Sequence, residues 1–292
     1  MTEGFRRPQH LVSVDWLAAN QGRPDLRVFD CTVHLHPLPD LSGQRAESGR
    51  ADYDAGHIPG SGFIDLQADL SDGTSPLRFV VPSADHFAAA MSRLGIGEGT
   101  RVVLYDRTRN QWAARVWWMM RGFGFDDVAV LDGGVASWTH AGHPLTREPT
   151  IYPAARFLAR PRPGYFVGKE EVRAAIGRPG TLLLNALTEE QHAGSAGVTY
   201  GRAGRIPGSA VVSARALIDP QTQAYKSPAE LRALFEAAGA TTAERVIVYC
   251  GGGIAASSDA LVLSLLGVDN VGIYTNSLQE WANDPSCPME RG

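Results

Sequence analysis

The change of secondary structure that decides the fold lies in the stretch Arg245-Val246-Ile247-Val248-Tyr249-Cys250-Gly251-Gly252-Gly253-Ile254-Ala255-Ala256. Residues 245–249 form a short apolar run rich in β-branched side chains, which predicts a buried strand. Residues 255–266 are mostly apolar and compatible with a helix, and Gly267 follows them as a stop signal. Cys250 therefore lies where a predicted strand ends and a predicted helix is about to begin.

The surroundings of Cys250 are those of a reactive thiol. Three glycines follow it, and because glycine has no Cβ, the backbone can curl tightly through positive φ. A curled loop directs several backbone N–H groups toward one point, and the helix N-terminus adds positive potential there. Such donors favour the thiolate, the nucleophilic form of cysteine. We predict that Cys250 is a nucleophile and that its anion donors are the backbone amides of Gly251, Gly252, Gly253, Ile254 and Ala255.

A Gly-rich loop between a strand and a helix also occurs in proteins without a catalytic cysteine. A free cysteine is often a small buried hydrophobe, and this alternative stays open for Cys250. The loop lacks the Lys-Ser/Thr pair of a P-loop, and Ala256 stands at the third glycine of a dinucleotide-binding motif. Ala256 also stands where a Cys-x5-Arg phosphatase loop carries its arginine, so a phosphatase is disfavoured.

Length and composition indicate a globular protein of two domains. The chain has 292 residues, of which 44% are hydrophobic and 20% charged, and its net charge is −4. This mild charge argues against a nucleic-acid surface, and no apolar stretch is long enough to span a membrane. The three cysteines form no disulfide framework, and the N-terminal residues lack a secretory signal. We therefore expect a cytoplasmic protein with reduced thiols.

Several segments of the first half recur in the second half at a nearly constant offset, which indicates a duplication. The recurring pairs are His57–Ser61 with Arg205–Ser209, Arg101–Asp106 with Arg245–Cys250, and Trp138 with Trp281. The counterpart of Cys250 in the first half is Asp106. A carboxylate cannot act as a sulfur nucleophile, so we expect only the second half to be catalytic.

Strands and helices alternate in both halves, which predicts an α/β fold with a mostly parallel sheet covered by helices on both faces in each half. We predict a non-catalytic domain over residues 1–145, an extended Pro- and Arg-rich linker over 146–163, and a catalytic domain over 164–292. Ligands of such sheets bind beyond the carboxyl ends of the strands, where Cys250 lies.

The segment after the predicted strand 26–30 is typical of a Gly/Pro-rich loop. It carries an H-x-H pair, His34 and His36, but no further ligands at metal-site spacing, so no metal is expected. Arg109 and Trp112 follow Asp106 closely. Their loop position would let them reach the cleft from the first domain.

The Cys250 loop resembles the active-site loop of the rhodanese family of sulfurtransferases. Further motifs extend the resemblance over nearly the whole chain, namely Gly56–Ser61, Pro82–Phe87, Leu94–Gly97, Arg115–Met119, Leu131–Gly134 and Arg205–Ser209. A duplication with one active half is similar to the two-domain rhodanese and 3-mercaptopyruvate sulfurtransferase type. The resemblance thus implies two tandem rhodanese-like domains.

The resemblance also implies a two-step sulfur transfer that needs no metal or organic cofactor. The Cys250 thiolate would take sulfur from a small anionic donor, thiosulfate or 3-mercaptopyruvate, and become a persulfide. An acceptor, a thiol or cyanide, would then remove that sulfur. Since a persulfide is also an anion, the loop amides would stabilise it as well.

The chain departs from the family pattern around the expected pocket. Leu187 stands where the family carries a donor-binding arginine, and Gly251 and Gly252 stand where thiosulfate-type loops carry Arg and Lys. The loop Cys250–Ile254 is nearer to the mercaptopyruvate type. These departures keep open an alternative function, a sulfur carrier or a non-catalytic partner-binding protein.

Three residues are candidates for the missing donor contact. We expect Arg202 or Arg205 to supply a cation, with a solvated loop arginine as the alternative for each. His57 is expected to face the cleft, and a structural loop histidine is its alternative.

Overall fold

The structure, a computed structural model, describes residues 4–292. Within these residues the strands are β1 (Leu11–Val12), β2 (Leu26–Asp30), β3 (Val33–Pro37), β4 (Gln44–Ser48), β5 (Ser61–Phe63), β6 (Arg101–Tyr105), β7 (Val128–Leu131), β8 (Phe166–Val167), β9 (Thr181–Asn185), β10 (Ala210–Val211), β11 (Arg245–Tyr249) and β12 (Val271–Tyr274). The α-helices are α1 (Val14–Asn20), α2 (Arg50–Ala55), α3 (Ala84–Arg93), α4 (Gln111–Gly122), α5 (Gly134–His140), α6 (Lys169–Ala175), α7 (Glu189–Ala193), α8 (Pro228–Ala237), α9 (Ala255–Leu266) and α10 (Ser277–Trp281). Short 3-10 helices cover Pro8–His10 and Ala214–Leu217.

Each half of the chain forms a parallel sheet of five strands. The strand orders are β1-β7-β6-β2-β5 and β10-β9-β11-β12-β8, and every pair of neighbours is parallel. The two strands predicted to precede Asp106 and Cys250, β6 and β11, take the central place in their sheets. Both are buried except at their first residue, as expected for strands covered on both faces. The predicted α/β fold is confirmed.

The segment predicted to be a Gly/Pro-rich loop forms a two-stranded ribbon instead. β3 pairs with β4 in antiparallel register, with His34 opposite Glu47 and His36 opposite Arg45. The loop prediction was wrong because the prolines lie at the end of β3 and beyond it, where they remove no ladder hydrogen bond from the centre of the ribbon.

Helices α4 and α9 follow the two central strands and join the two halves. They pack against each other, and their apolar side chains belong to one core that draws residues from both halves. Apart from Ala255, α9 is buried throughout, as expected for a helix that is apolar on nearly all sides. Among residues 4–292, no helix has the length and apolar character that crossing a membrane requires.

The predicted linker, 146–163, is extended as expected, but it packs against the first half along its length. The hydroxyl of Tyr152 accepts a hydrogen bond of 2.9 Å from the amide of Val28 in β2. Phe157 is 5% exposed, and its ring lies 5.6 Å from that of Phe87. The prediction of an unpacked spacer was wrong, because the aromatic side chains between the prolines, Tyr152 and Phe157, pack against β2 and α3 of the first half.

Candidate active site

Cys250 borders a cavity between the two halves of the chain. The residue follows β11 directly, at the carboxyl end of the central strand of the second sheet. The cavity has a volume of about 630 Å³ and is lined by residues of both halves. Cys250 itself is 2% exposed, so its sulfur is shielded from bulk solvent on every side except toward this cavity.

The loop after Cys250 curls around the sulfur. The amide of Gly253 donates a hydrogen bond of 3.1 Å to Cys250 Sγ. Gly253 has φ +80°, and a Cβ at this position would lie 2.6 Å from the carbonyl oxygen of Thr275. A side chain is excluded at Gly251 too, because a Cβ there would overlap the ring of Tyr200. Two of the three glycines are therefore required by close backbone approach.

Other amides of the loop point to no acceptor within residues 4–292. They belong to Gly252, Ile254 and Ala256. Of the five amides predicted to surround the sulfur, Gly253 alone donates to Sγ in this structure, and the loop keeps further donors unengaged. An anion bound beside Sγ would satisfy such donors.

The turn between β12 and α10 anchors the loop from behind. The hydroxyl of Ser277 accepts a hydrogen bond of 3.0 Å from the amide of Cys250, and the amide of Leu278 donates to the carbonyl of Cys250 at 3.1 Å. Ser277 has φ +51° and donates its own hydroxyl to the carbonyl of Tyr274. No local pattern in the sequence marks Ser277, because its anchoring role depends on the tertiary structure.

A buried cation lies beneath the loop. Arg115 of α4 is fully buried, and its Nη1 would lie 3.3 Å from a Cβ on Gly253. Its Nη2 donates to the carbonyl of Phe79 at 2.8 Å, whereas Nε and Nη1 have no acceptor within the described residues. Burial lowers the pKa of Arg115 to about 10, and the neighbouring Cys250 opposes this shift, so the guanidinium stays charged near neutral pH.

The sequence contains a signal that marks Arg115 as unusual. A single arginine inside an otherwise apolar run, Trp112 to Met120, is unusual for a core helix. Arg115 was identified from the sequence only as part of the family motif Arg115–Met119. In the structure, Arg115 of the first half places a positive charge close to Cys250 of the second half.

The cavity walls carry three further arginines. Arg78 and Arg109 come from the first half, and Arg215 comes from the second. Arg109 had been expected to reach the cleft, and it does, whereas Trp112 is fully buried in the core and does not line the cavity. Arg78 and Arg215 were not predicted, because no local pattern marks an arginine whose neighbours come from another domain.

Arg202, expected to contact the donor, is occupied elsewhere. Its guanidinium donates to the carbonyls of Trp281, Ala282, Asp284 and Cys287, at distances of 2.5 to 3.4 Å. It does not line the cavity. Its contacts fasten the C-terminal segment to the second half, so it is a structural arginine.

Arg205 and His57, equivalent residues in the duplication, are also turned away from the cavity. Arg205 pairs with Glu290 and donates to the carbonyl of Gly292. His57 is 1% exposed and stacks on Tyr53 with 3.8 Å between ring centroids. The expectation that either faces the cleft is corrected, because Arg205 binds the C-terminal residues and the His57 ring hydrogen-bonds the carbonyls of Tyr53 and Glu148.

The H-x-H pair lies on the cavity wall, and both rings contact carboxylates. His34 Nε2 lies 2.5 Å from Asp52 Oδ2, and His36 Nε2 lies 3.2 Å from Glu47 Oε2. Within residues 4–292, no group of three or more His, Cys, Asp and Glu side chains is arranged to hold a metal ion.

Similarity to known proteins covers nearly the whole chain. The profile of the rhodanese-like domain matches residues 13–141 and again residues 169–284. Over 288 residues the chain is 32% identical to 3-mercaptopyruvate sulfurtransferase of Escherichia coli K12, which covers 96% of the chain and 97% of that relative. Over 309 residues it is 31% identical to the sulfur carrier protein TtuD of Thermus thermophilus, covering 99% of both.

A solved structure shows the same architecture. SseA from Escherichia coli, a 3-mercaptopyruvate sulfotransferase with the rhodanese fold, is 31% identical to the chain. The two superimpose with a TM-score of 0.81, over 92% of this chain and 98% of SseA. The two halves described above are therefore arranged as in a known two-domain protein.

Proposed function

The chain belongs to the rhodanese family, and we propose that it is a sulfurtransferase that moves a sulfane sulfur from a small anionic donor to a thiophilic acceptor through a persulfide on Cys250. The observation that carries this proposal is the position of Cys250 Sγ. It borders an interdomain cavity and accepts the amide of Gly253, and the neighbouring amides of Gly252 and Ile254 have no acceptor within residues 4–292. Donors that are fixed before the reaction cost no reorganisation when charge develops on sulfur.

Two donor classes fit this site. With thiosulfate, the Cys250 thiolate attacks the outer sulfur, an S–S bond forms as the donor's S–S bond breaks, and sulfite leaves with the electron pair. With 3-mercaptopyruvate, the donor's C–S bond breaks, its electron pair stays on carbon, and carbon takes up the thiol proton to give pyruvate. Both reactions leave the same Cys250 persulfide and need no further oxidant or reductant.

The second half-reaction returns the free thiolate. Cyanide attacks the outer sulfur and leaves as thiocyanate, or a thiol acceptor leaves as a persulfide. The outer sulfur of the Cys250 persulfide would lie toward the cavity, within reach of the unengaged amides of Gly252 and Ile254. The amides of Gly251 and Ala255 are proposed to complete this set.

The charge of the cavity supports an anionic donor. Arg78, Arg109 and Arg215 border it, and Arg115 lies buried beneath the sulfur. Guanidinium groups bind the oxygens of carboxylates and sulfur oxyanions through paired N–H donors. No step of this reaction requires a metal or an organic cofactor.

A second candidate function is that of a sulfur carrier, which takes its sulfur from the persulfide of a partner protein. Leu187, 8% exposed, places an apolar side chain on the cavity wall where the family carries a donor-binding arginine. The similarity to a sulfur carrier protein over 99% of the chain points the same way.

Intact-mass measurement separates these functions. The protein is incubated with thiosulfate or 3-mercaptopyruvate alone, and the proposed enzyme gains the mass of one sulfur atom. The gain is expected to be absent in Cys250→Ser and to disappear from the native protein when cyanide is added. A native protein that gains no sulfur from either donor, but gains it from a persulfidated protein, would contradict the enzyme and support the carrier.

A further inference from the structure

Two arginines, one from each half, border the same cavity. Arg109 comes from the loop before α4, and Arg215 from the 3-10 helix Ala214–Leu217. Neither guanidinium donates a hydrogen bond to, or forms an ion pair with, any acceptor within residues 4–292. Burial lowers the pKa of Arg109, and the nearby charge of Arg215 lowers it further, so the two groups repel each other.

The backbone of Arg109 has a conformation that is energetically unfavourable for arginine. Arg109 has φ +61°, in the left-handed region where residues other than glycine are uncommon. By the repeat, its counterpart in the second half is Gly253, which has φ +80°. Strained backbone of this kind is concentrated at functional sites. Glycine would fit this position without strain, yet the first half places a cation there.

The position of Arg215 connects this pair with the reacting sulfur. The pKa of Tyr200 is raised by burial and by the neighbouring Cys250, and Arg78 and Arg215 oppose the shift. Tyr200 packs over Gly251, so Arg215 lies on the same side of the cavity as the Cys250 loop. Glu190 also borders the cavity. Hydrogen bonds with its own backbone and with Thr188 lower the pKa of Glu190, and the charge of Arg215 adds to this shift, but Glu190 and Arg215 form no ion pair within 4.0 Å.

From this geometry we propose that Arg109 and Arg215 bind the anionic group of the sulfur donor between them, one from each half. They would take the place of the family arginine that Leu187 replaces. A carboxylate or sulfonate between two guanidinium groups relieves their repulsion and satisfies donors that the protein leaves unpaired. The proposal rests on the proposed sulfurtransferase function and assigns its donor-binding residues.

The test measures steady-state kinetics with 3-mercaptopyruvate for Arg109→Gly, Arg215→Met and the double variant. Arg109→Gly removes the cation and leaves a residue suited to φ +61°, so its fold should be at least as stable as that of the native chain. Each single change is expected to raise KM roughly tenfold or more, the loss typical of one charged hydrogen bond, with a smaller change in kcat. Arg109→Lys and Arg215→Lys should recover part of the loss.

Two controls isolate the anionic group. Arg156→Met removes an exposed arginine outside the cavity and should leave KM unchanged. An ester of 3-mercaptopyruvate, which lacks the carboxylate charge, should react with the native protein and with both cavity variants at the same KM.

The outcomes separate the two proposals. A native protein that is loaded with sulfur, together with Arg109→Gly and Arg215→Met variants of unchanged KM, would overturn the arginine pair and leave the sulfurtransferase intact. An equal rise in KM for the ester would also overturn it, because the arginines would then not act on the carboxylate. A native protein that takes sulfur from no small donor would overturn the proposed function itself.

Discussion

The loops after β6 and β11 occupy equivalent places in the two halves, yet their amides meet different acceptors. In the first half, Asp106 folds its carboxylate back into its own loop. Oδ1 accepts the amides of Thr108 and Asn110 at 2.6 and 3.1 Å, and Oδ2 accepts those of Trp112 and Ala113 at 2.8 and 3.0 Å. In the second half, Cys250 accepts the amide of Gly253, and the counterparts of Thr108, Asn110 and Trp112 have no acceptor among the residues that the structure describes.

This difference shows that the duplication preserves the position of the loop but not the residue that its amides contact. Both halves keep a loop at the end of a central strand whose backbone amides donate to the residue that follows the strand. In the first half the side chain of Asp106 accepts four amides, and in the second half the sulfur of Cys250 accepts one beside the cavity. The first loop therefore supports structure, and we propose that the second supports transfer.

The buried charges next to the loops differ in the same way. Arg115 in α4 and Asp259 in α9 are equivalent by the repeat, and each is fully buried without an opposite charge as partner within residues 4–292. Burial raises the pKa of Asp259 well above its usual range, which favours its neutral form. Arg115 keeps its charge and lies beneath the loop of Cys250.

The largest expected effect comes from making the second loop like the first. In Cys250→Asp, a carboxylate can accept the amides of Gly252, Ile254 and Ala256 as Asp106 accepts their counterparts. We expect sulfur loading to fall at least about 1000-fold, as for removal of a nucleophile, while the chain stays folded. Intact mass and thermal unfolding check this, with Cys250→Ser as the uncharged control of lower stability. Sulfur still gained by Cys250→Asp would show that Cys31 or Cys287 carries it.

The next effect concerns the charge under the loop. Arg115→Met removes a cation close to the sulfur, so we expect the rate of sulfur loading to fall by roughly tenfold or more, within the range for an opposite charge nearby. Because an unpaired buried charge is lost, the unfolding temperature should stay the same or rise. Stopped-flow loading kinetics and calorimetry measure both. Arg115→Lys should keep part of the rate, and a drop in rate and stability together would point to a structural role instead.

A smaller effect is expected from the left-handed position that the two loops share. Gly253→Ala places a Cβ at φ +80° and 2.6 Å from the carbonyl of Thr275, so unfolding free energy should fall by roughly 1–2 kcal/mol or more. Arg109→Gly at the equivalent position should not lower it. Denaturant unfolding of both variants tests the pair, and equal losses of stability would contradict the equivalence of the loops.

The last effect concerns the first loop and is measured as the change of stability with pH. Burial raises the pKa of Asp106 to about 7, although the loop amides oppose the shift. Between about pH 4, near the pKa of an unfolded aspartate, and about pH 7, the folded chain holds a proton that the unfolded chain has released. Unfolding free energy should therefore fall as pH rises through this window, by at most about 1.4 kcal/mol per pH unit. Asp106→Asn should flatten that slope, and an unchanged slope would refute the assignment.

The sequence predicted the parts of the fold that depend on local periodicity. β6, β11 and α9 are found where short apolar runs and a glycine stop placed them, because parallel strands buried on both faces need continuous apolar residues. The ribbon β3–β4 and the packed segment 146–163 were not predicted. Their prolines indicate loops, although β3 pairs with the next strand, β4, and the segment 146–163 is fixed by contacts with distant residues such as Val28.

The candidate site divides in the same way. Cys250 and its glycines could be identified because a loop and the residue it surrounds are neighbours in sequence. Arg202, Arg205 and His57 were chosen for their motif positions, but their side chains close turns and hold the C-terminal segment. A motif records where a residue lies along the chain, and it does not record which way the side chain turns.

By itself, the sequence determined the duplication, the α/β architecture and the residue at the end of each central strand, since all of these follow from patterns within short stretches. Only the tertiary structure decided which charges surround the sulfur. Arg78, Arg109 and Arg115 come from the first half and Arg215 from the 3-10 helix Ala214–Leu217 of the second, and they border the cavity of Cys250 or lie beneath its loop because α4 packs against α9. The packing of buried apolar faces brought these cations together, and no local sequence pattern could reveal it.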